Sequence, residues 1–308
     1  VTSNIRSRLA TVLHARTGLS GAIMKSCPFT DRGDTLWSYV NFARAMNRWP
    51  DLQAVPGFND GLLRVKLAER DDALRHQVAD KLRFKAFACE RLTQDHVVPL
   101  LGVIGDKASL RTYRFPDNCM IKPTDASGVG EARRDAEPLD MKLLGTFFHR
   151  NHYRFTREKF YKHIPPGIIV EELVTGDGGL PPLDYKVFCF FGRAKIIQWM
   201  DRNGENGPVK RWYTPQWRPL GFTLKRELAP IVPRPPFLAD LIAAAETLGE
   251  GFSAVRADFL SNGTRLLAGE LTNVDGNAVS QLKPDPAPEL KLGRLFTDPH
   301  VSVDDLID

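Results

Sequence analysis

The clearest alternation of apolar and polar positions lies at Val255-Arg256-Ala257-Asp258-Phe259, with Val255, Ala257 and Phe259 on one face and Arg256 and Asp258 on the other. Ser261-Asn262-Gly263 separates this run from a second one, Leu266 to Asn273, and the two together predict a hairpin. Upstream, helical spacing predicts helices over 5–16 (Ile5, Leu9, Val12, Leu13) and 35–47 (Leu36, Tyr39, Val40, Ala43), with another after Pro56-Gly57. A helix over 80–92 carries Leu82, Ala86 and Cys89 on one side. Short strands are predicted over 97–101, 119–122 and 168–174. The last is apolar until Glu171-Glu172 and reads as buried on both faces. Residues 184–190 alternate, placing Asp184, Lys186 and Phe188 together, and turn at Gly192 into a strand over 196–200. Residues 201–221 are rich in Gly, Pro, Trp and Arg and show no period, so they read as a long loop of the kind that closes over ligands. A helix over 237–248 follows Pro235-Pro236 and ends at Gly249, and a Pro- and Asp-rich tail after Gly276 is expected to wrap the surface.

Parity constrains the hairpin. Asp258 and Glu270 are twelve positions apart, so a two-residue Asn262-Gly263 turn puts them on opposite faces. A loop with an odd number of residues, centred near Thr264, puts them side by side at about 4.5–5.5 Å between Cβ atoms. Two carboxylates at that range suit a hard cation such as Mg²⁺, which usually takes one or two carboxylates plus substrate phosphates. The plainer reading is a hairpin with solvated charges.

At 308 residues the chain is long enough for two or three subdomains. The pattern divides it into a mainly helical 1–78 and two mixed units, 79–174 and 175–308. No apolar run approaches the roughly 20 residues that span a bilayer, and no signal-peptide core follows the basic start. Cys27, Cys89, Cys119 and Cys189 are widely spaced, as reduced, mostly buried thiols of a cytoplasmic protein would be. The net charge of +5 suits an anionic ligand. Nothing in the sequence has zinc-finger spacing or an aromatic-basic RNA-binding pattern, so nucleic acid is not expected.

Candidate chemistry sits at three further places. Lys81 and Lys85 share a helical face, which for a lone lysine pair ordinarily means a solvated surface. A strand ending in Lys122 is stopped by Pro123 and leads into Ser127-Gly128-Val129-Gly130, whose small side chains let backbone N–H groups close around phosphate oxygens. The loop is neither a Walker A sequence nor a dinucleotide-binding fingerprint. Glu171 and Glu172 mark the polar end of the buried strand.

Taken in order, these stretches resemble an ATP-grasp enzyme, an α+β fold in which two subdomains grip ATP. Asp80-Lys81-Leu82-Arg83-Phe84-Lys85 and Ile121-Lys122-Pro123 with the Ser127–Gly130 loop are similar to D-alanine–D-alanine ligases. Glu171-Glu172-Leu173, Asp184-Tyr185-Lys186-Val187-Phe188-Cys189-Phe190, Val255-Arg256-Ala257-Asp258 and Gly269-Glu270-Leu271-Thr272 resemble the TupA-like ATP-grasp group of bacterial cell-surface polysaccharide synthesis. The resemblance covers about residues 80–280. It implies that Lys81 and Lys122 contact ATP phosphates, with Ser127, Gly128, Val129 and Gly130 above them. It places adenine along Glu171, Glu172, Leu173 and Val174, and the ribose near Asp184. Lys186 would lie toward the γ-phosphate, Arg256 would stabilise charge on the reacting carbonyl, and Asp258, Glu270 and Asn273 would hold Mg²⁺. In this fold the Asn usually follows the Glu by two, where this chain has Thr272.

The function so implied is a ligase joining a small-molecule carboxylate to an amine or thiol through an acyl phosphate, alongside partners in polysaccharide assembly. A phosphotransferase acting on a sugar or lipid hydroxyl, and a non-catalytic nucleotide-binding scaffold, are the alternatives. The 1–78 region is expected to shape acceptor choice and to contribute no ATP ligand.

Overall fold

Local capping sets most helix starts. The Thr30 hydroxyl accepts a hydrogen bond from the Gly33 amide, and the Asp72 and Asp80 carboxylates do the same for the first turns that follow them. The computed structural model describes residues 2–15, 17–126, 128–204, 207–224 and 228–307. In chain order these form α1 (Thr2–Ala15), α2 (Thr17–Ser26), α3 (Asp31–Met46), α4 (Phe58–Ala68), α5 (Ala73–Ala79) and α6 (Lys81–Arg91). Then come β1 (Leu100–Ile104), α7 (Lys107–Thr112), β2 (Cys119–Pro123), β3 (Glu131–Arg133), α8 (Met141–Phe147), α9 (His152–Thr156) and β4 (Ile168–Glu172). The remainder is β5 (Leu183–Phe190), β6 (Arg193–Asp201), β7 (Val209–Tyr213), β8 (Thr223–Leu224), α10 (Leu238–Gly249), β9 (Ala254–Ser261), β10 (Leu266–Thr272), β11 (Leu282–Lys283) and α11 (Asp304–Ile307). The class is α+β, as expected, and the N-terminal region is helical.

The strands make a four-stranded sheet, β1-β4-β2-β3, and a five-stranded sheet, β10-β9-β5-β6-β7, with a small β11-β8 pair. One face of the larger sheet, with Tyr185, Val187, Ala257 and Phe259, packs on Phe84 and Phe87 of α6 and on Leu241, Ala245 and Leu248 of α10. The opposite face presents Phe188, Phe190 and Trp212 to Phe58 of α4, with Phe296 of the tail completing the cluster. Asp184 and Lys186 precede Phe188 on that second face, beyond the reach of the aromatic cap. Their end of the sheet opens into the cleft toward the smaller sheet.

The tail is therefore part of the core that also holds α4. A methyl added at Gly293 would lie 1.9 Å from the Val55 carbonyl oxygen, and one at Gly61 would lie 2.2 Å from the buried Phe296 ring. We expect Gly293→Ala and Gly61→Ala each to destabilise the protein by about 1–3 kcal/mol in urea unfolding. Equal midpoints for both variants and wild type would show that the tail does not clamp α4.

Four sequence expectations change. The strand expected at 97–101 forms three residues later, because Val97 and Val98 bond instead to β10 at Ala268. Residues 201–221 are not all loop: β7 adds to the sheet edge and buries Trp212 and Tyr213. The turn expected at Gly192 forms, a tight two-residue one with Phe191 and Gly192 both at positive φ (50° and 73°), but the strand after it begins at Arg193 rather than at 196. The fourth is the hairpin parity. Leu266 pairs with Ser261, so the loop holds four residues, an even number. Ala268 faces Phe259, and a bulge at Gly269 then inserts one extra residue, so that Glu270 pairs with Asp258. The expected opposition exists, and the bulge rather than the loop creates it.

Candidate functional site

Between the two sheets lies a cavity of about 430 Å³, within the range of small-ligand sites. Its smaller-sheet wall is Met120 and Lys122 of β2, Gly128, Val129 and Gly130 of the loop, Ala132 and Arg134, and Glu171 to Val174. Asp184, Lys186, Arg202, Asp258, Leu260, Gly269 and Glu270 form the opposite wall. Lys81, at the first turn of α6, enters at the end, and Pro181 and Pro182 line the rim. Gly128 adopts φ +70°, and a Cβ at Gly130 would stand 3.2 Å from the Ile121 carbonyl, so the second glycine lets the loop lie against β2. Ser127 lies outside the described residues. The β4 ladder stops at Glu172, so Leu173 and Val174 meet the cavity beyond the sheet pairing.

Charge is arranged in interlocking pairs. Glu171, 1% exposed, bridges Lys85 at 2.5 Å and Lys122 at 2.6 Å. Lys85 is thus buried and also donates to the Val98 carbonyl, which overturns the solvated-face reading of the Lys81/Lys85 pair. Burial lowers the Lys85 pKa and the Glu171 carboxylate opposes that effect. Asp258 accepts from Lys186 at 2.6 Å and from two guanidinium nitrogens of Arg256, each at 2.6 Å. Arg256 is bonded also to Thr272 and Asp275. Glu270 lies 3.3 Å from Lys81. Burial pushes the Glu270 carboxyl up, but Lys81, Lys186, Arg256 and Lys122 outweigh burial and hold it at about 2. Asp184 is buried and bound by Arg202 at 2.7 Å.

The cross-strand Asp258–Glu270 pair is the donor set that Mg²⁺ takes when phosphates supply its other ligands. Among the described residues no group of three or more His, Cys, Asp or Glu side chains is placed to hold a metal by itself. Asn273 does not join the pair. Its amide is consumed by Arg75, accepting from the guanidinium at 3.2 Å and donating to the Arg75 carbonyl at 3.0 Å. The bulge at Gly269 accounts for this: it turns Glu270 and Thr272 toward Arg256 and leaves Asn273 facing α5.

Sequence reasoning missed Arg202, which sat in the presumed loop, and Arg134, whose guanidinium donates to the Gly179 carbonyl across the cavity mouth at 3.0 Å. It also missed Asp275. No local motif marks the two arginines. The four cysteines are unpaired, and burial raises the thiol pKa of Cys27, Cys119 and Cys189, so those three are not activated as nucleophiles. No helix among the described residues is long and apolar enough to cross a membrane.

Comparison with solved structures finds distant likenesses. D-alanine–D-alanine ligase from Helicobacter pylori is 12% identical with a TM-score of 0.41, over 72% of this chain and 58% of that one. The ATP-grasp ligase PsnB, complexed with a minimal precursor, is 14% identical with a TM-score of 0.33, over 61% of this chain and 51% of that one. An L-amino acid ligase from Bacillus licheniformis is 14% identical with a TM-score of 0.36, over 66% of this chain and 42% of that one. The chain thus spans little more than half the length of the first two. No curated protein matches it. The TupA-like ATPgrasp family model matches residues 62–297, beginning inside α4 and earlier than the motifs alone indicate. A match over that much of its length makes this chain a member of the TupA-like ATP-grasp family.

Proposed function

We propose that this protein is an ATP- and Mg²⁺-dependent ligase that joins a carboxylate to an amine, in the synthesis of a bacterial cell-surface polysaccharide or a related metabolite. The observation that carries the reading is the convergence of Lys81, Lys122 and Lys186 with the Asp258–Glu270 pair on one cavity beside a glycine loop. Apolar Met120, Val129, Leu173, Val174 and Leu260 suit a purine, and Asp184 suits a ribose hydroxyl. The substrate carboxylate attacks the γ-phosphorus, ADP leaves, and an acyl phosphate forms. The amine then attacks the acyl carbon, phosphate leaves, and the nitrogen loses its proton as the amide forms. Bound Mg²⁺ would neutralise phosphate charge between Asp258 and Glu270. Lys122 and Lys186 hold the phosphates in line, and Arg256 stabilises the oxyanion on the acyl carbon. The helical 1–78 region and the 79–174 and 175–308 units divide the work, with acceptor choice falling to the first.

Incubation with ATP, Mg²⁺, a panel of sugar acids and amino acids, and hydroxylamine tests the reading. An acyl hydroxamate supports the ligase, a phosphorylated acceptor replaces it with a kinase, and neither product leaves a binding scaffold. Lys122→Ala should weaken ATP binding at least about tenfold in calorimetry, since a charge-assisted contact contributes about 1.5–3 kcal/mol. Glu171 keeps Lys85 as its partner in that variant, so the fold should stand. Unchanged affinity in the folded variant would contradict the assignment of the cavity to ATP.

A further inference from the structure

The turn that follows β10 runs against local preference. Gly276, Asn277 and Ala278 take φ values of 54°, 57° and 59°, three left-handed residues in a row, where even Gly and Asn ordinarily occur singly. Such strain persists only where the surroundings impose it, and it collects at functional sites. Val274 and Ala278, at the two ends of the turn, are buried in the core that also holds Phe58 of α4. Between them, Asn277 Oδ1 accepts from Lys66 Nζ of α4 at 2.7 Å. Lys66 is 1% exposed and donates to the Thr156 carbonyl as well, at 2.6 Å. What the turn delivers is Asp275, whose carboxylate pairs with Arg256.

A guanidinium carries five N–H donors in one plane. In Arg256, Nε donates to Asp258 Oδ1 at 2.6 Å, while Nη2 donates to Asp258 Oδ2 at 2.6 Å and to Thr272 Oγ1 at 3.1 Å. One N–H of Nη1 goes to Asp275, and the other has no partner among the described residues. The two carboxylates are not equivalent. Asp258 also accepts from Lys186 at 2.6 Å and, in the ligase reading, holds Mg²⁺, so its oxygens are in demand. Asp275 has Arg256 as its one side-chain partner among the described residues. Its grip on Nη1 therefore does not depend on how Asp258 is shared.

Building on the ligase reading, we propose that Asp275 is a positioning residue for Arg256, fixing the guanidinium plane so that the remaining N–H of Nη1 meets the oxyanion on the acyl carbon. Asp275 holds the nitrogen that Asp258 leaves free, and the Lys66–Asn277 bond holds the left-handed turn that carries Asp275. Through that chain of contacts α4 supports catalysis without touching substrate.

The test follows hydrogen exchange at the Arg256 guanidinium by NMR, in the full chain isotope-labelled at arginine nitrogen. Arg256→Lys assigns the signals by their loss. Asp275→Asn keeps the shape but not the charge, and should speed exchange at Nη1 at least about tenfold with the unfolding midpoint close to wild type. Asp275→Glu should restore most of the protection. Should the asparagine variant not fold, Asn277→Gly suits positive φ, removes only the Lys66 acceptor, and should speed the same exchange. In the hydroxamate assay Asp275→Asn should lose at least about tenfold in kcat, with ATP affinity by calorimetry unchanged. Unchanged exchange in the folded variant overturns the positioning role, and so does faster exchange with unchanged kcat. Wild type that binds ATP but yields no hydroxamate from any acid removes the ligase reading, and the exchange rates still decide whether Asp275 holds Arg256.

Discussion

Glu270→Gln should remove Mg²⁺-dependent turnover, by at least about a hundredfold, while leaving the circular dichroism spectrum and the unfolding midpoint close to wild type. The substitution is nearly isosteric and deletes one of the two carboxylates that face each other across β9 and β10. Its partner Asp258 already shares its oxygens between Lys186 and Arg256, so it cannot take over the lost charge. Glu270 itself is held ionised by Lys81, Lys186, Arg256 and Lys122 despite burial, with a carboxyl at about 2, so wild type presents a full negative charge at any working pH. The variant carries an informative sign. Removing an anion next to the phosphates should leave metal-free ATP binding as tight as wild type or tighter, while Mg²⁺ ceases to improve it. Calorimetry with and without Mg²⁺, alongside the hydroxamate assay, reads both quantities. Wild-type turnover across magnesium concentrations would falsify the metal assignment.

Glu171→Gln should be the most damaging single change to stability, lowering it by about 3 kcal/mol at pH 7. Losing one partner of a buried ion pair costs about 3–5 kcal/mol, because the other charge stays buried and uncompensated. Here two lysines lose their anion. The lower end of the range applies for two reasons. Lys122 keeps 23% side-chain exposure, and Lys85 can shed its proton, since burial already pulls its pKa below the ordinary value. That second route fixes the pH dependence. An unpaired buried lysine binds its proton less tightly in the folded than in the unfolded chain. Stability of the variant therefore rises as pH climbs from the folded pKa toward the unfolded value of about 10.4. Urea unfolding at pH 7 and pH 9.5 should show the deficit shrinking. A deficit below about 1 kcal/mol at pH 7 would mean that the Lys85–Glu171–Lys122 bridge is loosely held in solution.

Much of the site was legible because its elements have strong local periods. The alternation of 255–259 and of 184–190 puts Arg256 with Asp258, and Asp184 with Lys186, on common faces whatever the sheet order. The strand ending at Lys122 and the glycines after it are likewise local signals, as are the helices at 35–47, 80–92 and 237–248. Three things were decided only in the tertiary structure. The Gly269 bulge is one: a one-residue insertion in a ladder depends on what the partner strand and the core beneath demand, so parity counted along the chain cannot see it. It brings Glu270 to Asp258 and sends Asn273 to Arg75. The depth of Lys85 is another, because a lysine pair on a helix has the same pattern whether water or Glu171 lies opposite. The last is the meeting of Phe58 on α4 with Phe296 in the tail, which lie at opposite ends of the chain on segments with no shared motif. Local spacing determines which side chains share a face; which faces meet, and which charges are left without water, is set by packing between elements that the chain order does not relate.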